Sequence, residues 1–290
     1  MTSNKPLRRF AGFSALCAFV LIAAGGMVTS TGSGLSVPDW PLSYGKAMPP
    51  MVGGVLFEHG HRMIAGFVAT LTWLLAAWIW LKEPRRWVRR LAAAAAGGIV
   101  LQAVLGGITV LYGLPPAVSA LHACLGQALF CALLCLWDAT GKPPEPSYGA
   151  WTAGAATAAG LFAQLAFGAV YRHTGGGFPF HLLGAMAVFV LIGRLVRSAR
   201  AWSAPVYVLM LVLPFQLALG LVALVVRGRR LAPQAAALAG LHGTAADVFP
   251  STGYLLPSFL TALHVACGAA LLGAAVLWTQ RALREAGQLA

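Results

Sequence analysis

The sequence predicts an all-α integral membrane protein whose eight transmembrane helices form two pseudo-symmetric four-helix bundles. Three observations predict this class. The first is composition: 59% of the 290 residues are hydrophobic and only 9% are charged, whereas a soluble domain carries about 25% charge. The second is a succession of eight apolar stretches, each near the ~20 residues that a helix needs to cross a bilayer. The third is an internal repeat that relates the two halves of the chain.

The apolar stretches fall near residues 11–29, 56–81, 91–111, 118–138, 150–171, 178–193, 204–226 and 257–279. The first follows Lys5, Arg8 and Arg9 as a signal peptide would, but its apolar run is too long for a typical signal h-region, so it counts as a helix. The sixth is the shortest and is expected to continue to about Arg200, its arginines reaching for the headgroups. Long runs without period-two alternation exclude a closed barrel.

Of the 20 Lys and Arg residues, 14 lie in the termini and the even-numbered loops. The positive-inside rule then places both termini in the cytoplasm and the chain in the cell inner membrane. The net charge of +13 belongs to that face, above all to the run from Lys82 to Arg90 against anionic membrane lipid, and not to a nucleic-acid site. The five cysteines, Cys17, Cys124, Cys131, Cys135 and Cys267, all fall inside predicted spans, which argues against a disulfide framework in the outer loops. Cys124, Cys131 and Cys135 share one helical face and read as small packing residues.

Repeats show which residues occupy equivalent places. Thr31, Gly32 and Gly34 after the first span match Thr174, Gly175 and Gly177 after the fifth. Gln102, Leu105 and Gly106 match Gln216, Leu219 and Gly220, and LHACLGQALF from Leu121 matches LHVACGAALL from Leu263, setting His122 opposite His264. His61 with Ala65 likewise matches His181 with Ala185. Four spans per half is an even number, so both halves cross in the same sense about an axis along the membrane normal. The expected bundles are residues 1–146 and 147–290.

Four of the seven histidines, His61, His122, His181 and His264, open the even-numbered spans. Those helices start at the outer face, so each half holds two histidines within about two turns of the outer boundary. A lone membrane histidine is usually a packing or proton-relay residue. Two neutral imidazoles facing each other across a bundle, without acidic ligands, are what six-coordinate haem iron takes, and these four are the candidate iron ligands. Zinc wants four ligands, or three and water, and neither half supplies them at one depth. His59, two positions before His61, points off the ligand face and reads as a packing or solvated residue. His173, in the outer loop RHTGGG, reads as solvated or as the edge of a haem pocket, and His242 in the long outer loop carries no assignment.

The motif EHGHR puts Glu58, His61 and Arg62 on one helical face. One reading is an ion pair between Glu58 and Arg62 that closes the helix start. The other is a carboxylate beside a haem-sized site in one half only, since the matching position in the second half is the apolar Phe178. That asymmetry suggests a redox haem in one bundle and chemistry in the other. Arg62 and Arg172 share the outer boundary and suit haem propionates, which the guanidinium fork matches; they equally suit snorkelling to headgroups. The glycines around Gly32 and Gly175 lack the strand and the GK[ST] of a phosphate loop and would let the backbone approach a flat ligand closely.

Taken together, TGSGLS (Thr31–Ser36), EHGHR (Glu58–Arg62), QAVLGGITVLYGLPP (Gln102–Pro116) with His122, YRHTGGG (Tyr171–Gly177), and His264 with Gly268 resemble the haem A synthase family of bacteria and mitochondria, over nearly the whole chain. The resemblance implies oxidation of the C8 methyl of haem O to the formyl group of haem A, for terminal oxidases. It implies substrate haem O between His61 and His122 near Arg62, a haem b cofactor between His181 and His264 near Arg172, and Glu58 as the catalytic glutamate. The partners that go with it are the haem O synthase that supplies the substrate, an electron acceptor that the sequence does not name, and further copies of the chain in a homo-oligomer. Two departures stand out. Thr29 stands where many relatives carry arginine, and the cysteine pair that one bacterial class has in the first outer loop is missing, so a mechanism through that disulfide cannot operate here. The competing functions are a di-haem cytochrome that only relays electrons, which leaves the Glu58 asymmetry unexplained, and a proton-coupled transporter, which leaves the duplicated pairs unexplained.

Overall fold

A computed structural model describes residues 4–142, 148–238 and 255–289, and the regular structure among them is helical. The helices are α1 (Lys5–Ser30), α2 (Gly54–Lys82), α3 (Arg86–Leu111), α4 (Pro116–Ala139), α5 (Trp151–Thr174), α6 (Phe178–Ser198), α7 (Ala204–Leu238) and α8 (Leu255–Glu285). All eight are long and apolar enough to cross a membrane, and they coincide with the eight sequence-predicted spans to within a few residues at most ends. The sixth continues to Ser198, as its arginine-rich end suggested. The chain is a multi-pass membrane protein.

Local chemistry sets the helix ends. Asn4 caps α1 by accepting the Leu7 N–H at 3.2 Å, with proline in the first turn, which suits a position whose N–H has no partner anyway. Pro84 separates α2 from α3, and Pro115–Pro116 opens α4, because proline cannot continue a preceding helix. At the end of α5, Gly175 turns left-handed (φ 80°) and donates its N–H to the Tyr171 carbonyl, a helix stop that favours glycine.

Within the first four helices α1 packs on α2, α2 on α3, α3 on α4 and α4 back on α1; within the last four, α5 packs on α6 and α8, and α7 on α8. Between the sets α1 meets α8, α4 meets α5, and α4 meets α8. The centre is therefore α1, α4, α5 and α8. Helix α8 has 44% of its most apolar window buried against 6% for α7, so α7 faces mainly outward. Close approach at the centre uses small residues: a Cβ on Gly26 of α1 would lie 3.1 Å from Ala262 of α8, the backbone proximity on which helix association in lipid relies. Outward side chains such as Phe67, Met186, Leu211 and Phe215 are exposed, a liability in water that lipid removes.

At the end opposite the histidines, the centre is pinned by charge. Asp138 of α4 is buried and accepts from Arg281 Nε (2.6 Å), Arg284 Nη1 (2.9 Å) and Gln280 Nε2 (3.1 Å), all on α8. Arg85, inside the basic run expected to face lipid, turns inward instead. Its guanidinium pairs with Glu83 at 2.7 Å and donates to the Ala139 carbonyl at 2.6 Å. A carboxylate and the unsatisfied carbonyls of the α4 C-terminus offer the fork more than headgroups do.

Candidate functional site

Each of the four candidate histidines lies against a glycine on the helix before it. A Cβ on Gly25 (α1) would sit 3.1 Å from His61 Cε1 (α2), and one on Gly106 (α3) would sit 3.2 Å from His122 Cε1 (α4). The same contact recurs at 2.9 Å between Gly168 (α5) and His181 (α6), and at 3.1 Å between Gly220 (α7) and His264 (α8). A side chain at any of them would crowd the imidazole, so these glycines serve close approach rather than a turn. His61 lies near enough to His122, and His264 to His181, for their charges to interact. The structure thus sets one pair of histidines in each half, His61 with His122 and His181 with His264.

A glutamine one turn before the glycine accompanies three of the four. Gln102 Nε2 donates to the His122 carbonyl at 3.0 Å and lies 3.4 Å from His122 Nε2. Gln164 Nε2 donates to the His181 carbonyl at 2.8 Å and lies 3.1 Å from His181 Nδ1. Gln216 Nε2 lies 3.4 Å from His264 Nε2, and the Gln216 carbonyl accepts from His264 Nδ1 at 3.1 Å. That last bond fixes the tautomer, leaving the Nε2 lone pair of His264 for a metal. The sequence reading found Gln102 and Gln216 but missed Gln164, although one signal holds all three: QAVLG, QLAFG and QLALG, against LIAAG on α1.

Around His61 the loop between α1 and α2 takes the place of a glutamine. Glu58 is buried; its Oε2 accepts the Val37 N–H at 2.7 Å and its Oε1 accepts Arg62 Nη2. Arg62 also donates to the carbonyls of Asp39 (2.6 Å), Leu42 (3.0 Å) and Val37 (3.2 Å). The ion pair read from EHGHR is present, and both partners of it are tied to the loop. His59 is buried with Nδ1 2.7 Å from Ser43 Oγ, the packing role expected of it. Asp39 closes the loop on itself by accepting the N–H groups of Gly45 (2.8 Å) and Tyr44 (2.6 Å). Those two bonds, with a smaller contribution from Arg62, hold its carboxyl below the usual carboxylate range. Trp40, beside Asp39, lays its ring on Gly107, next to the glycine that cradles His122.

Arg172 reaches from α5 to α1, donating to Ser30 Oγ at 2.7 Å and to the Gly26 carbonyl at 3.3 Å, one residue from the Gly25 cradle. His173 departs from its expected place in a loop. It lies in the last turn of α5, half-buried and near Arg172 and His122, because α5 runs on to Thr174 before Gly175 stops it. Phe178, the counterpart of Glu58, packs its ring on Tyr171 with centroids 5.3 Å apart. His242 lies outside the described residues.

These groups suit haem. The Nδ1 atoms of His61 and His122 are buried without a hydrogen-bond partner, and each pair offers two imidazoles with glycine backing. Among the described residues no three His, Cys, Asp or Glu side chains converge as a metal cage. A pair of neutral imidazoles is a haem donor set and not a zinc one.

Comparison with known proteins gives the same direction. The profile of a family described as cytochrome oxidase assembly protein matches residues 8–54 and 54–182. A protein named Heme A synthase from Bacillus licheniformis is 30% identical over 151 residues, half of this chain and half of that protein. Proteins of the same name from Alkalihalophilus pseudofirmus and Shouchella clausii are 32% identical over 124 residues and 33% identical over 138, covering 41% of each chain in the first case, and 46% of this chain and 45% of that protein in the second. The chain spans about half the length of the curated relatives it matches.

Proposed function

This chain belongs to the cytochrome oxidase assembly protein family, and on that premise we propose that it is a haem A synthase, oxidising the C8 methyl of haem O to a formyl group. The observation that carries the reading is the repeated pairing of imidazoles, each on its glycine, with a buried carboxylate next to one pair only. In this reading residues 1–146 and 147–290 are two bundles. The first takes haem O between His61 and His122; the second holds haem b between His181 and His264. The helix contacts support that division, since α1 with α2, α3 with α4 and α1 with α4 have counterparts in α5 with α6, α7 with α8 and α5 with α8.

Two successive oxidations of the methyl each add a hydroxyl from water and remove two electrons and two protons; the geminal diol then loses water to leave the aldehyde. Bound haem b supplies one-electron redox chemistry. The protein's part is orientation and charge. Val37 N–H and Arg62 hold the Glu58 carboxyl in place, where a carboxylate would stabilise positive charge at the methyl carbon or take a proton from an attacking water. Arg62 and Arg172, in this reading, would hold the haem propionates through their guanidinium forks. The 14 Lys and Arg on the side of the termini support cytoplasmic termini in the inner membrane. A haem O synthase as donor, an electron acceptor and self-association complete the reading.

The test is the pigment. Full-length protein expressed in a host that makes haem O is extracted, and its haems are separated. Haem A is the expected product; haem b alone would overturn the activity and leave an electron-relaying cytochrome.

A further inference from the structure

The four Gly–His contacts are alike, but what stands one helical turn before each glycine is not. It is Gln102 before Gly106, Gln164 before Gly168 and Gln216 before Gly220, and it is Leu21 before Gly25. Residues four apart share a helix face, so the side chain at this place is set beside the histidine that the glycine cradles. In three cases the glutamine grips that histidine through its backbone carbonyl, its ring nitrogen or both, at 2.8–3.4 Å. Leu21 is partly buried and packs against the core, and it has nothing to donate or accept.

A second observation points at the ligands themselves. Oε1 of Gln102, of Gln164 and of Gln216 is in each case buried without a hydrogen-bond partner. A buried acceptor left unpaired is costly, and those of Gln102 and Gln164 lie beside imidazoles whose ring N–H becomes a donor once the other nitrogen binds iron; at His264 the backbone carbonyl of Gln216 already takes that N–H. His61 also has an unpaired, buried Nδ1, with a leucine where the acceptor would stand.

We propose that Gln102, Gln164 and Gln216 are positioning residues that lock three of the four histidines, and that Leu21 leaves His61 as the exchangeable ligand through which the first-half haem enters and leaves. The proposal rests on the haem-ligation reading above. An acceptor on the second ring nitrogen fixes the imidazole's tautomer and orientation and makes it a stronger donor to iron. A substrate must leave after every turnover and a resident cofactor must stay. One soft ligand out of four, in the half assigned to substrate, meets both demands.

The test mixes the purified full chain, loaded with both haems, with excess apomyoglobin and follows haem transfer by absorbance. His61→Ala and His264→Ala proteins assign the phases. The expected wild-type record has a fast phase from the first half and a slow one from the second. Leu21→Gln should slow the fast phase about 10- to 100-fold, the range for loss or gain of such a ligand partner; Gln164→Leu should quicken the slow phase by a similar factor. Gln164→Glu, which keeps an acceptor oxygen, should restore the slow rate where a purely structural glutamine would not be so replaced. Should Leu21→Gln fail to fold, Gln102→Leu and Gln164→Leu carry the test in the opposite direction. Unchanged phases in variants that still bind both haems would overturn the glutamine assignment while the haem sites stand. A wild-type chain that binds no haem would overturn the ligation reading and this proposal with it.

Discussion

The two halves of this molecule share one geometry for placing a histidine and differ in what holds the histidine once placed. In the last four helices the supports are internal: Gln164 and Gln216 tie His181 and His264 to the neighbouring helix. In the first four, His122 has its glutamine, but the helix bearing His61 is secured from beyond the helices, through Glu58, His59 and Arg62 to residues 37–43 of the loop between α1 and α2. The first four helices also close into a ring, whereas among the described residues α6 and α7 lack a contact as extensive as that of α2 with α3. The Gly–His cradle recurs in both halves because it is a backbone constraint. The polar surroundings of each histidine differ.

The sharpest way to break this comparison is to remove one ligand at a time. His122→Ala and His264→Ala should each abolish low-spin absorption of one haem almost completely, because a strong axial field is lost, and should leave the other haem's bands in place. Difference spectra of the two purified variants check this. Loss of both haems from either variant would mean that the halves do not bind independently.

Next in size is the carboxylate that only the first half possesses. Glu58→Gln keeps an oxygen for the Val37 N–H and removes the charge. Turnover to haem A should fall by roughly 10²–10⁴-fold if the carboxylate acts as base or charge stabiliser, with haem b absorption and haem O binding retained. Arg62→Gln separates this from a structural role. If Glu58 serves only its ion pair, both variants should lose stability, and haem A per folded molecule should stay near normal in both, which would sink the catalytic role.

How far the sequence foretold these features depended on the range of the interaction. The eight helices were legible because bilayer thickness sets their length and a lack of charge marks them. The histidine pairs were legible because the repeat superimposes His122 on His264 and His61 on His181. The Glu58–Arg62 pair follows from i,i+4 spacing alone. What stayed hidden were contacts set by tertiary packing: Ser43 against His59, Trp40 on Gly107, and Asp138 gathering Arg281 and Arg284 from a helix some 140 positions later. Arg85 was misplaced for the same reason, since its partner carbonyl belongs to α4. Gln164 and Leu21 lay in plain view and were missed because the repeat was read at the period of a half, not of a helix pair.

The smallest expected effect concerns the loop that distinguishes the first half. Asp39 is partly exposed, and the N–H groups of Gly45 and Tyr44 hold its carboxyl below the usual carboxylate range. A carboxylate whose pKa is lower folded than unfolded stabilises the folded loop fully above the unfolded value, and that contribution disappears as pH falls through the folded one. Amide exchange of the Tyr44–Gly45 turn, read by mass spectrometry on a peptide covering it, should therefore show protection at pH 5–6 that declines below 3.8. In Asp39→Asn the amide side chain still offers one oxygen but no charge, so protection should be weaker at pH 5–6, where Asp39 is ionised, and should lose its acid step. An acid step of the same size in Asp39→Asn would assign the titration to another group. The second-half counterpart, the short turn Gly175–Gly177, contains no carboxylate and should show no such step in the same experiment, and this makes the loop's acid response a property of the first half alone.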